Sequence, residues 1–170
     1  MMKTLIDIFQ SLPSPLATFL IAMLPVGELR GAIPVAILVY KIPWPLAMVI
    51  AIAGNMLPVY FLLLFFEAVT NWLMQRFHWA KRLFDWLFER TRRKLNKQVK
   101  KYGYWALAIF VAIPLPATGA WTGAMAAFVF GLPEKKSFLA ILLGVCLAAI
   151  IVTLVTIGGN AAVMKLFLIK

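Results

Sequence analysis

Glu28 and Arg30 lie in the string PVGELRGAIP, residues 25 to 34, between the apolar stretches Leu16 to Leu24 and Val35 to Tyr40. A charge at the centre of a bilayer costs roughly 2.5–3.5 kcal/mol on insertion scales, so each of these two needs a partner or a polar cavity. Pro25, Gly27, Gly31 and Pro34 break the helix around them. A broken helix releases backbone N–H and C=O groups that can line such a cavity. There a carboxylate can take up and release a proton, and a guanidinium can grip a phosphate or carboxylate through paired hydrogen bonds. A structural ion pair that pins a re-entrant loop is the other reading of the same residues.

A second broken string, PLPATGAWTGA at residues 114 to 124, carries no charge. Pro114, Pro116, Gly119 and Gly123 shape it, while Thr118, Trp121 and Thr122 offer hydroxyls and one large aromatic toward a substrate or proton site. Close helix packing explains Gly119, Gly123 and Ala124 equally well. Asn55, beside Gly54 in a long apolar run, can hydrogen-bond a loop tip or clamp two helices together. Glu67 reads as an interfacial carboxylate that snorkels. His78 has no second His, Cys or acidic cluster at ligand spacing, so no metal site is expected. Ser11, Ser14 and Ser137 lie far from that histidine, and no nucleotide-binding glycine motif occurs, so neither enzymatic catalysis nor a cofactor is expected.

The elements that must position these residues follow from composition. Of 170 residues 64% are hydrophobic and only 14% charged, with a mean hydropathy of +0.93. Soluble domains are about 45–50% apolar, so lipid is the solvent for most of this chain. The expected fold is an all-α integral membrane protein with a single domain. Residues 1–12 read as an interfacial helix, 16–40 as a first re-entrant hairpin and 43–67 as a transmembrane helix without charge until Glu67. Residues 72–101 read as an amphipathic cytoplasmic linker with Trp72, Trp79 and Trp86 seven apart, 103–131 as a second re-entrant hairpin and 137–164 as a second transmembrane helix. Each arm of a hairpin is about ten residues, roughly 15 Å as helix, half of a ~30 Å hydrocarbon core.

Sliding the chain by 90 residues lays Pro43 on Pro133, Gly54 on Gly144 and Tyr40 on Phe130, with the two broken strings opposed within one position. If each half crosses the membrane once, the halves form two inverted repeats joined by a basic amphipathic surface helix, the plan of many secondary transporters. Four complete spans, two of them kinked, form the alternative, and Lys/Arg counts do not separate the two.

The net charge of +11 is concentrated at Arg76, Lys81, Arg82, Arg90, Arg92, Arg93, Lys94, Lys97, Lys100 and Lys101. Set between membrane-grade segments, this run reads as a cytoplasmic face on anionic lipid, with Arg92, Arg93, Lys97 and Lys100 as lipid-surface residues and no nucleic-acid partner. The lone Cys146 excludes an intrachain disulfide. A pathway wider than a few helices would require a homo-oligomer.

PVGELRGAIP, the Pro-cornered helix, the basic linker and PLPATGAWTGA together resemble the small multi-drug export protein family over nearly the whole chain. That family is similar in plan to the DedA superfamily, whose members have two opposed re-entrant hairpins and are implicated in proton-linked lipid-carrier translocation or lipid scrambling. The arginine-rich second half typical of DedA proteins is absent here. The resemblance implies roles for Glu28 and Arg30 at one tip and for the Pro114 to Gly123 loop at the other. The expected function is a small DedA-like transporter of the bacterial plasma (inner) membrane, multi-pass and proton-linked. Its cargo would be an amphipathic or phosphate-bearing, lipid-like molecule or a small drug, and membrane lipids would be its partners. The alternative is a non-transporting membrane scaffold or assembly factor acting through the basic surface.

Overall fold

A computed structural model describes residues 12–78, 81–82, 85–86, 97–114 and 118–159, with the backbone alone at 67, 71 and 97–102. Among the described residues all regular structure is helical. Helix α1 is Ser14–Met23, α2 is Glu28–Pro34 and continues as a π-helical turn over Val35–Val39, and α3 is Trp44–Arg76. Helix α4 is Lys97–Ala112, α5 is Ala120–Val129 and α6 is Glu134–Ile157.

Proline sets the start of three helices. Pro13, Pro43 and Pro133 stand immediately before α1, α3 and α6 with ψ of 133°, 136° and 131°, extended backbone that turns the chain into each helix. Among the described residues two helices are long and apolar enough to cross a membrane, α3 with 33 residues and α6 with 24. At 1.5 Å per residue these are about 50 and 36 Å, against a ~30 Å hydrocarbon core. Helix α3 runs on to Arg76, past the expected end at Glu67. From Val59 to Phe77 the sequence contains no Gly or Pro, and a charged side chain does not terminate a helix as those residues do. Helix α6 starts earlier than expected, at Glu134 directly after Pro133, and stops at Gly158, before the expected 164.

Within the first half, Pro34 sits inside the helical path rather than ending it, and the backbone widens into the π turn just after it. A proline cannot supply the N–H of a regular α-turn, and a local π segment is one way to absorb that. Residues 1–11 of the expected interfacial helix and residues 79–80, 83–84 and 87–96 of the linker, among them Arg92 and Arg93, lie outside the described residues, as do the side chains of Lys97 and Lys100.

Packing pairs α1 with α3 and α4 with α6. At Gly54 a Cβ would collide with the Phe19 carbonyl and meet the Ala22 methyl at 3.0 Å. At Gly144 it would collide with the Ala108 carbonyl and meet Val111 Cβ at 2.7 Å. Both glycines therefore let the long helix lie backbone to backbone on a short one. Helix α2 then packs on α6, and α5 on α3, so each half lends its second short helix to the long helix of the other half. The core is built from small residues, with Ala22, Ala32, Ala51, Ala120, Ala124, Ala127 and Ala149 all at 0% exposure beside Ile21, Ile33 and Ile141. Leu139, Leu143, Ile150 and Leu154 of α6 remain exposed on the outside, the surface a lipid solvent would cover.

Candidate functional site at the junction of the two broken segments

The first tip is a tight turn between α1 and α2. The Glu28 N–H donates to the Leu24 carbonyl at 2.9 Å, and Glu28 itself adopts φ of 45°. That left-handed conformation costs a non-glycine residue about 1–2 kcal/mol, so the surrounding contacts must hold it. Beyond Leu24 and Arg30, these come from the other half of the chain.

The Glu28 carboxylate accepts hydrogen bonds from the backbone N–H groups of Ala120 and Trp121, the first residues of α5. It thus caps a helix 92 positions away, satisfying donors that a helix start leaves without intrahelical partners. Gly119 makes the approach possible, because a Cβ there would overlap the carboxylate. Arg30 Nη2 bonds Glu28 Oε2 at 3.2 Å and also donates to the Thr118 carbonyl oxygen. In return the Trp121 indole Nε1–H donates to the Met23 carbonyl at 3.2 Å, taking one of the carbonyls left over at the end of α1. The side chain of Glu28 is 4% exposed and that of Arg30 is 16% exposed. Burial on this scale demands that a carboxylate be both paired and hydrogen-bonded, and here it is.

Thr118, Trp121, Gly119, Glu28 and Arg30 therefore come together, though not all through the groups the sequence suggests. Thr118 contributes its carbonyl, while its hydroxyl donates to the Ile113 carbonyl at 2.7 Å. The Thr122 hydroxyl donates to the Gly119 carbonyl at 3.1 Å, inside its own loop. In the second string α4 ends at Ala112 and α5 begins at Ala120, so Gly123 is already helical, packed where a Cβ would lie 2.6 Å from Val111 Cγ2. In the first string Gly27 immediately precedes α2, Gly31 is buried within it and Pro25 is exposed in the turn. Pro114 is half-buried, and Pro116 lies outside the described residues.

Asn55 does not hydrogen-bond either tip. It is fully buried on α3, and neither its Nδ2 nor its Oδ1 has a hydrogen-bond partner. Nothing in the sequence marks Ala120 as a participant, since its part is played by a backbone N–H. The sole signal is its position directly after a glycine in a broken apolar string. Among the described residues no group of three or more His, Cys, Asp or Glu is placed to hold a metal ion.

Two membrane-length apolar helices, shorter helices broken at Pro- and Gly-rich turns, and a charged pair sealed among them define a helical membrane protein. The family model described as small multi-drug export protein matches residues 28–151, and the chain belongs to that family. By that name it is a membrane transporter of the export class. No curated protein and no solved structure matches the chain.

Proposed function

We propose that the protein is a multi-pass exporter of the bacterial plasma membrane in which two re-entrant hairpins, inverted relative to each other, meet near the bilayer midplane at the Glu28–Arg30–Gly119 junction. The cargo is an amphipathic molecule, either phosphate-bearing and lipid-like or a small drug. Arg30 holds its polar group, and Glu28 links the movement to protons. One observation carries this reading: an acid and a base of the first half are bonded to the broken backbone of the second half, at Thr118, Ala120 and Trp121. Discontinuous helices whose ends face a charged site are the arrangement by which many secondary transporters bind cargo.

The equivalent seats of Gly54 and Gly144, the paired Pro43 and Pro133 corners and the exchanged packing of α2 and α5 support the inverted-repeat part of the reading. Transport through such a junction requires the two tips to separate, because cargo cannot pass while Glu28 caps α5.

The test is flux in proteoliposomes containing a fluorescent short-chain lipid phosphate or a fluorescent drug, with and without a pH gradient. Glu28→Gln is expected to abolish the response to the gradient, and Arg30→Ala to abolish movement of the phosphate-bearing probe. Neutralising Arg92, Arg93, Lys97 and Lys100 together is expected to leave flux standing once topology is verified. Flux unchanged in both Glu28→Gln and Arg30→Ala, with loss in the linker variant, would overturn the proposal in favour of a scaffold acting through its basic surface.

A further inference from the structure

Asn55 presents an anomaly that the junction does not absorb. A buried amide without partners forfeits hydrogen bonds on both its oxygen and its nitrogen, and native structures tolerate few such groups. Its position is fixed by neighbours. Gly54, one residue earlier, seats on Ala22, which precedes the Met23 carbonyl that takes the Trp121 indole N–H. Asn55 therefore lies at the level of both tips.

Its face of α3 follows from helical phase. Phe66 of α3 stacks on Phe128 of α5 with ring centroids 4.9 Å apart. Asn55 precedes Phe66 by eleven residues, about three full turns, so the two share a face of α3. Trp121 precedes Phe128 by seven residues, about two turns, so stepping back three turns along α3 passes the start of α5. Asn55 thus stands on the face of α3 that meets α5, at the level of the end where Ala120 and Trp121 donate to Glu28.

The N-terminus of α5, the Arg30 guanidinium and Asn55 thus lie at one level of the fold, and all three can donate hydrogen bonds to an anion. We infer that this is an oxyanion site for the phosphate group of the cargo, and that Glu28 is a resident carboxylate which the incoming phosphate must displace. The inference rests on the proposed transport function and deepens it, by giving the cargo its chemical class and Glu28 a competing role. With Glu28 in place the Arg30 charge is balanced. A phosphate that takes over Arg30, Ala120 and Trp121 preserves that balance while Glu28 leaves, and Asn55 gains the partner it otherwise lacks. Glu28 is also the residue with φ of 45°, so its release frees the backbone from a conformation it does not favour.

The experiment is a titration of the purified, detergent-solubilised protein with dihexanoyl phosphatidic acid, and separately with inorganic phosphate, read by calorimetry. Glu28→Gly removes the competitor at a position whose φ suits glycine, so it is expected to bind at least about tenfold tighter than wild type, the worth of roughly one charge-assisted hydrogen bond. Glu28→Gln keeps one acceptor oxygen and is expected to gain less, in the same direction. It also serves if Glu28→Gly loses the monodisperse peak in size exclusion. Adding Arg30→Gln to either variant should cancel the gain, and adding Asn55→Leu should reduce it several-fold.

A gain for the lipid phosphate alone identifies a lipid-phosphate cargo, and a gain for both probes identifies the free oxyanion as sufficient. No gain for either probe in both Glu28 variants overturns the inference, as does a gain indifferent to Arg30. Because binding is read without flux, this failure is separable from failure of the transport reading, which falls on the vesicle assay.

Discussion

Of the two tips, the first brings side-chain charge, Glu28 and Arg30, and the second brings backbone, the Thr118 carbonyl and the Ala120 and Trp121 N–H groups. The first is closed by a strained acid at φ of 45°, the second by a glycine that leaves room for that acid. Neither tip is complete alone, since the first would bury a charge and the second would leave donors of α5 unmet. Outside the tips the halves share a Pro corner, a glycine seat and an order of helices, although α3 has 33 residues to the 24 of α6 and a π turn follows Pro34. The chemical difference lies where the halves touch, with charge on one side of the contact and backbone on the other.

The comparison breaks most completely on topology, where the outcome is all or none. With Cys146→Ser as background and single cysteines at Lys97 and Lys170, a membrane-impermeant thiol reagent is expected to label the two positions from opposite sides of the membrane. Labelling from the same side would mean four complete spans, and the halves would then not be inverted.

In stability, the largest effect is expected at Arg30. Arg30→Met leaves the Glu28 carboxylate buried without its cation and is expected to cost about 3–5 kcal/mol, seen as a strongly lowered Tm of the solubilised protein. Adding Glu28→Gln should recover much of that loss, because both charges are then gone. A double variant no better than Arg30→Met alone would mean that Arg30 holds the fold chiefly through the Thr118 carbonyl.

Glycine substitutions separate the tips from the seats. Gly119→Ala forces a methyl into the Glu28 carboxylate and is expected to cost about 1–3 kcal/mol, as overpacking does. The clash is with one side chain, so Glu28→Gly should relieve it. Gly54→Ala and Gly144→Ala carry a similar expected cost, yet their clash is with the carbonyls of Phe19 and Ala108, which no side-chain change removes. Relief of Gly119→Ala by Glu28→Gly, measured as non-additive Tm shifts, checks the side-chain contact directly.

Much of this was legible in the sequence, and the illegible part has a common cause. Glu28 and Arg30 stand out because charge in an apolar string is rare, and the Pro/Gly breaks stand out because those residues alter backbone hydrogen bonding whatever surrounds them. The spacing that laid Gly54 on Gly144 located two helix contacts as well. What the sequence does not show is who supplies the second half of each bond. The hydroxyls of Thr118 and Thr122 looked like ligands, yet they saturate carbonyls in their own loop, and the carbonyl of Thr118 meets Arg30 instead. Backbone donors such as Ala120 have no residue-type signature. The end of α3 was misplaced at Glu67 because charge marks a membrane boundary, whereas a helix ends where its hydrogen bonds do.

The smallest expected effect belongs to the bond that runs the other way, from the second tip to the first. Trp121→Phe keeps most of the ring volume on the face shared with Phe128 and deletes the indole N–H that reaches the Met23 carbonyl. A single hydrogen bond of this kind is worth about 0.5–1.5 kcal/mol net, so a modest drop in Tm is expected with the ion pair intact. The consequence for exchange should be larger than for stability. Trp121 carries both an indole tie to α1 and one of the N–H groups on Glu28, so removing the tie loosens one side of the junction and leaves the carboxylate cap in place. Amide hydrogen exchange at residues 118–124 is the measurement. Faster exchange there without faster exchange in α6 would show that the tips part locally, whereas acceleration throughout would show that the junction and the helix packing open as one unit.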